Sequence, residues 1–306
     1  MKRGVYMSIL NVLLENKKDF SLKEAYNQVK AKMDVKEHSI RARIYEAIDK
    51  GILKRISKGI FKTKDCLLVH GDGRNLSFLD NNCIDCIITD HPYDLKNNKG
   101  GNRNFAQYNC FRYNQKDFDE KARVLKDGCF LIEFVPEETG ENWKYLSDIK
   151  YMAEKSGFHY YSKVSWKKGN FISNCGRKSK NTEEVLIFSK GIARCLRPDA
   201  KKDKADPLVS HYMSGANGML PTCFDFQKVG KQNMIHQAEK PVELLECLID
   251  YFTLPNETVL DQFAGSGVLG EASIKTNRKS ILIEIADEYI NKIKTRLNMI
   301  PCLTTI

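Results

Sequence analysis

From residue 65 onward the sequence alternates short β-rich runs with helical stretches, and this alternation narrows the fold more than any other feature. The runs are "CLLVHGD", "CIDCIITD", "GCFLIEFV", "EEVLIFSK", "TVLDQFAG" and "SILIEI", with helical stretches at 116–126, 141–156, 240–252 and 284–298. Strands separated by helices are far enough apart in sequence to pair in parallel. The expected fold is therefore α/β, a doubly wound and mostly parallel sheet. Ligands of such sheets sit beyond the carboxyl ends of the strands. "GD" at 71–72, "TD" at 89–90, "LDQFAG" at 260–265 and "IE" at 283–284 all place acids or glycines at strand ends.

Residues 1–64 read as a separate, smaller domain, ahead of a larger one at 65–306. "GVYMSILNVLLENKK" carries Ile9, Val12 and Leu13 on one helical stripe, and Ser21 with Glu24 forms a capping box at the head of "SLKEAYNQVKAKM". In "KEHSIRARIYEAIDKG" one face holds Ile40, Ile44, Ala47 and Ile48, and the other holds His38, Arg41, Ala42 and Tyr45. "ILKRISKGIFKT" then reads as a short basic hairpin turning at Ser57–Gly59. Three helices and a basic hairpin resemble the winged helix-turn-helix family. That resemblance implies a third helix presenting His38, Arg41 and Tyr45 to bases, and a wing presenting Lys54, Arg55 and Lys58 to phosphates.

Charge agrees with a polyanion partner. The chain of 306 residues has a formal net charge of +10, and residues 1–64 alone hold 16 Lys and Arg against 7 Asp and Glu, a balance of +9. No apolar stretch approaches the roughly 20 residues that a membrane span needs, and the N-terminus lacks the pattern of a signal peptide, so a cytoplasmic location is expected. The ten Cys follow no regular spacing and read as reduced core residues. Cys83 and Cys86 have C-x-x-C form but lack the second ligand pair that a zinc site needs, so no metal is expected.

"VLDQFAGSGVLGEA" contains Gly265-x-Gly267-x-x-Gly270 between a strand and a helix, with Glu284 ending the next strand 19 residues after Gly265. This arrangement suits a nucleoside held at a strand–helix turn, with an acid on its ribose, but does not name the cofactor. In a dehydrogenase the same fingerprint normally opens the domain, whereas here it closes it.

The neighbouring motifs resemble the amino-methyltransferases of DNA. "LDQFAGSG" followed by "RKSILIEIADEYINKIKTRL" is similar to that family's S-adenosylmethionine motif, and "HQAEKPVELLECLI" to the helix that precedes it. "HGDGRNLSFLDNNCIDCIITDHPY" resembles its Gly-Asp strand and Asp-Pro-Pro-Tyr loop, and "WKKGNFISNCGRKSKNTEEVLIFSKG" its later strand block. The likeness covers about residues 65–298, in the motif order of the beta subgroup.

The resemblance implies a Rossmann-like methyltransferase that moves a methyl group from S-adenosylmethionine to an exocyclic base amine, N6 of adenine or N4 of cytosine, in double-stranded DNA. The target base leaves the stack to be reached. Asp90, His91, Pro92 and Tyr93 form the implied catalytic loop: Asp90 and the His91 carbonyl accept from the amine, and Tyr93 stacks on the base. His91 stands where the family has proline, although Pro92 still biases it to extended backbone. On the cofactor side the resemblance implies Asp72, Lys240, Asp261, Phe263, Gly265, Ser266, Gly267 and Glu284, with Gly270 serving helix–strand packing. Asp at the loop's first position favours adenine. Cytosine C5 chemistry is disfavoured, because the sole Pro-Cys is Pro301–Cys302 in the tail. A short target-recognition segment falls at about 191–235. A homodimer, a cognate restriction enzyme and a non-catalytic DNA-binding regulator remain open.

Overall fold

The computed structural model describes residues 9, 12–13, 20–49, 53–57, 60–63, 65–93, 110–169, 181–194, 220–230, 232, 234–236 and 238–297. At the N-terminal side, β1 (Phe20–Ser21) leads into α1 (Leu22–Lys32), followed by α2 (Glu37–Asp49), β2 (Leu53–Ser57) and β3 (Ile60–Thr63). The expected capping box starts α1: Glu24 N–H donates to Ser21 Oγ at 3.3 Å, and Ser21 N–H to Glu24 Oε2 at 2.6 Å. The three strands form an antiparallel sheet in the order β1-β3-β2. Ile40, Ile44 and Ala47 bury one face of α2, while His38, Arg41, Ala42 and Tyr45 stay exposed on the other. Lys54 and Arg55 fall on β2; Gly51, Lys58 and Gly59 lie outside the described residues.

The larger unit contains β4 (Cys66–His70), β5 (Ile84–Thr89), α3 (Gln115–Val124), β6 (Leu125–Pro136), α4 (Trp143–Lys155), β7 (Phe158–Lys167), β8 (Thr182–Lys190) and β9 (Cys223–Asp225). It continues with α5 (Val242–Phe252), β10 (Thr258–Asp261), α6 (Val268–Lys275), β11 (Lys279–Glu284) and α7 (Asp287–Arg296). The sheet order is β4-β11-β10-β5-β6-β8-β7-β9, parallel throughout except for β8, which runs against both of its neighbours.

Strand alternation sorts the core into two layers. Ile84, Ile87 and Leu131 pack on one face with Phe118 of α3 and Tyr145, Leu146 and Ile149 of α4. Cys86, Ile88, Phe130 and Ile132 pack on the other with α5, α6 and α7. All six residues of β5 are buried, as expected of a strand covered on both sides. The chain leaves β5 toward β6 but leaves β10 toward β11, so the strand order reverses between β5 and β10. That reversal opens a crevice at the carboxyl ends of these two strands.

β7 and β9 extend the sheet beyond the strand set expected from the sequence, and β8 is the one strand that breaks the parallel run. Cys83 lies just ahead of β5 rather than within it, and burial pushes its thiol up to about 12. Neither it nor Cys86 is bonded to another cysteine, and among the described residues no group of three candidate metal ligands occurs. Likewise, no described helix is long and apolar enough to cross a membrane.

Candidate active site

The crevice between β5 and β10 opens into a cavity of about 460 Å³ whose walls come from several separate loops. They are the loop after β4 (Asp72, Gly73, Arg74), the loop after β5 (Asp90–Tyr93), Cys110 and Phe111, the segment before α5 (His236–Lys240), the β10–α6 turn (Asp261–Ser266) and the end of β11 (Glu284). The implied catalytic loop and the glycine turn thus border one cavity. So do Asp72, Lys240, Asp261, Phe263, Gly265, Ser266 and Glu284.

Backbone geometry explains the glycines. Gly265 and Gly267 hold φ of +50° and +74°, where other residues are strained, and a Cβ on Gly267 would lie 2.9 Å from Ile293 of α7. Gly267 itself is the N-cap of α6. The Gly73 loop packs on the same turn: a Cβ there would lie 1.9 Å from the Gln262 carbonyl, and Gln262 Nε2 donates to the Gly73 carbonyl at 2.7 Å. Gly270 lies apart from the cavity, where an added Cβ would meet Leu282, Leu297 and Cys66.

Carboxylates organise the turn from both sides. Glu284 accepts from Gly265 N–H at 2.8 Å, Ile285 N–H at 2.9 Å and Ala286 N–H at 2.8 Å. Burial nevertheless lifts its pKa above the usual carboxylate value, since desolvation outweighs those three donors. Asp261 accepts from Phe263 N–H at 3.0 Å, and burial, reinforced by the charges of Asp90 and Glu284, pushes its carboxyl up to about 7. Asp72 is held by Arg74, chiefly through the guanidinium at 2.6 Å, which keeps its carboxyl below the ordinary range. The Arg74 guanidinium also lies 4.7 Å from the centre of the Phe111 ring, which is 5.5 Å from Phe263.

Asp90 is 24% exposed at its side chain and so open to a ligand. Its Oδ2 accepts from Lys240 Nζ at 2.5 Å, and the Tyr93 hydroxyl lies 2.6 Å from Oδ1 and against the Phe134 carbonyl. Burial alone would depress Lys240, but the charges of Asp90 and Glu183 outweigh it and raise the ammonium above its ordinary value. Lys240 is therefore a fixed cation. The chain before it is set by Glu239, which accepts from Ile235 N–H at 2.9 Å and from Arg296 Nη1 at 2.7 Å.

The His91 side chain is buried in an aromatic cluster. Its Nε2 lies 2.7 Å from the Tyr145 hydroxyl, and its ring is 4.0 Å from that of Tyr113 and 4.5 Å from that of Tyr93. Burial, with the positive charge of Lys121 nearby, holds the imidazole well below its usual pKa, hence neutral. The ring thus braces Tyr93 from behind. Tyr145 also accepts from Tyr113 N–H at 3.1 Å, and Tyr113 donates to Glu133 at 2.7 Å. Glu133 pairs with Lys121 at 2.7 Å, both side chains being fully buried. This network, together with Phe111, Arg74, His236, Glu239 and Glu183, escaped the sequence reading. The "TEE" at the head of β8 and the His of "HQAEKP" were its visible traces.

The Asp90 loop and the glycine turn therefore line one cavity at the point where the strand order of the sheet reverses. A model of the N6/N4 DNA methylase family matches residues 84–295, and the chain belongs to that family. It is 30% identical over 233 residues to the type II methyltransferase M.HpaI of Haemophilus parainfluenzae, covering 73% of this chain and 71% of the relative. M2.LlaDCHI, a type II methyltransferase of Lactococcus lactis subsp. cremoris, is 26% identical over 265 residues, 79% of this chain and 93% of that one. Among solved structures, M1.HpyAVI in complex with SAM superposes with a TM-score of 0.54 at 23% identity, over 76% of this chain and all of that one. The cytosine-N4-specific PvuII DNA methyltransferase gives 0.54 at 18% identity, over 77% and 87%. These two likenesses are of fold.

Proposed function

We propose that the protein is a site-specific DNA methyltransferase acting on the exocyclic amine of an extruded base, with N6 of adenine as the target. The observation that carries this is the meeting of the Asp90–Tyr93 loop and the Gly265–Ser266 turn on one cavity, with Gly267 set back against Ile293. Their residues fit S-adenosylmethionine as methyl donor. Gly73 lets its loop pack directly on the Gln262–Phe263 turn beside the cavity, and Glu284, Asp261 and Asp72 supply acceptors for hydroxyl and amine groups. When bound, that cofactor supplies an electrophilic methyl group.

The chain's own residues supply the rest. An exocyclic ring amine is a weak nucleophile because its lone pair is delocalised into the ring. A hydrogen-bond acceptor placed at its proton draws the nitrogen toward tetrahedral geometry and stabilises the positive charge it gains. Asp90, which lines the cavity, is that acceptor, joined in this reading by the His91 carbonyl. Tyr93, braced by the His91 ring, is the stacking surface. Asp at this position, in the family's pattern, favours adenine over cytosine. The basic N-terminal unit supplies much of the grip on double-stranded DNA. Its helix–helix–hairpin order and the exposed His38, Arg41 and Tyr45 support a winged-helix reading, with Lys54, Arg55 and Lys58 toward phosphates.

Incubation with methyl-labelled S-adenosylmethionine and genomic DNA, digestion to nucleosides and identification of the product tests the reading. Methylated adenine at N6 is the expected product. Methylated cytosine would move the target to N4, and DNA binding without any transfer would favour a regulator. Deleting residues 1–64 should weaken DNA binding and flatten its dependence on salt, because that slope scales with the number of phosphates neutralised. Unchanged affinity at moderate salt would dispose of the N-terminal part of the proposal.

A further inference from the structure

Glu183, on the antiparallel strand β8, uses its two carboxylate oxygens differently. Oε1 is ion-paired with Lys168 Nζ. Oε2 lies 3.0 Å from Lys240 Nζ, yet this approach lacks hydrogen-bond alignment, and among the described residues Oε2 is buried without any hydrogen-bond partner. The same ammonium makes an aligned bond of 2.5 Å to Asp90 Oδ2 and a long one of 3.5 Å to the Ala238 carbonyl. Lys240 thus makes its aligned bond to Asp90 while its ion pair with Glu183 Oε2 stays unaligned. Turning the ammonium into line with this oxygen completes a charge-assisted hydrogen bond there as well as freeing Asp90.

We propose that Lys240 serves the two carboxylates in turn. It bonds Asp90 while the cavity holds no target base, and turns onto Glu183 Oε2 when the base amine donates to Asp90. Glu183 is then a positioning residue for methyl transfer, acting through Lys240; this rests on the function proposed above. An ammonium left on Asp90 would occupy the lone pair that the amine needs and would repel the positive charge developing on the nitrogen. The move is short. Lys240 Nζ sits 5.1 Å from the centre of the Phe134 ring and 5.8 Å from that of Trp166, so the cation stays over the same aromatic wall in either arrangement. Lys168, on Oε1, keeps the Glu183 carboxylate in place throughout.

The test is steady-state methylation of DNA by Glu183→Gln, with cofactor and DNA dissociation constants measured alongside. Glutamine keeps the shape and the Oε1 acceptor but removes the charge that draws Lys240 away. Turnover should fall about 10- to 100-fold, less than the roughly 100- to 1000-fold cost of removing a group that touches the reacting atoms, because Glu183 acts through Lys240, with both dissociation constants within about twofold of the parent. Glu183→Asp should recover part of the turnover. In a Lys240→Met background, Glu183→Gln should cost nothing further. Parental turnover in Glu183→Gln, or an equal loss in the Lys240→Met background, overturns the inference while leaving the methyltransferase reading intact. A parent protein that methylates no DNA would defeat that reading first, and this inference with it. Should Glu183→Gln not fold, Lys240→Arg decides: its fork bonds both carboxylates at once and cannot release Asp90. It should turn over at least about tenfold more slowly, and full turnover overturns the proposal.

Discussion

Asp261 carries the most informative stability prediction. It ends β10, is 8% exposed, and accepts from Phe263 N–H at 3.0 Å and from the Thr89 hydroxyl at 3.4 Å, both through Oδ1. Burial raises its carboxyl from 3.8 to about 7. Between those values the folded chain holds a proton that the unfolded chain has released, so stability falls as pH rises through this window. A rise of roughly 3 units at about 1.4 kcal/mol each amounts to about 4 kcal/mol lost above pH 7, as an order of magnitude. Asn at this position keeps the Oδ1 acceptor and mimics the protonated acid, so it escapes the penalty. The stability gap between Asp261→Asn and the parent should widen by about 3 kcal/mol from about pH 5 to about pH 8, because some 2 units of the window lie in that interval. Thermal unfolding reads this as a relative gain of about 5 to 6 °C for the variant at the higher pH. All other titrations are common to both proteins and cancel in the difference. A gap of the same size at both pH values would refute the reasoning, since it would mean that the folded carboxyl is already ionised at the lower one.

Other substitutions probe the scaffold. Lys121→Met strands the fully buried Glu133 carboxylate with, among the described residues, only the Tyr113 hydroxyl as donor. Thermal unfolding should report a loss of about 3–5 kcal/mol, largely recovered by adding Glu133→Gln. Gly73→Ala places a methyl group 1.9 Å from the Gln262 carbonyl and forces the two loops apart. Calorimetry should then show S-adenosylmethionine binding weakened by about tenfold or more, and an unchanged affinity would contradict the placement of the cofactor between those loops.

The sequence carried the site's outline because its motifs are local. "TDHPY" and "FAGSG" announce themselves by residue type, and the runs "CIIT" and "VLD" place them at the ends of β5 and β10. What stayed hidden was non-local. Asp90 and Lys240 are 150 positions apart, and nothing in either segment says that their side chains meet. The apolar run "VLIF" of β8 reads as a buried strand in either direction; only its pairing with β6 and β7 shows that it runs antiparallel. β7, "FHYYSKVSWK", breaks the alternation with an exposed "HYY" and so gave no clean period. His91 was legible as a departure from the family's proline, but the direction of its ring is a property of the aromatic cluster built by Phe111, Tyr113 and Tyr145.

Methyl transfer to DNA by Asp90→Ala, set beside its affinity for S-adenosylmethionine, tests the central claim most directly. If one cavity holds the base acceptor at one end and the cofactor turn at the other, the variant binds the cofactor within about twofold of the parent and transfers no measurable methyl group. Transfer at the parental rate would show that the amine is drawn by some other group, and the reading of this cavity would fall with it.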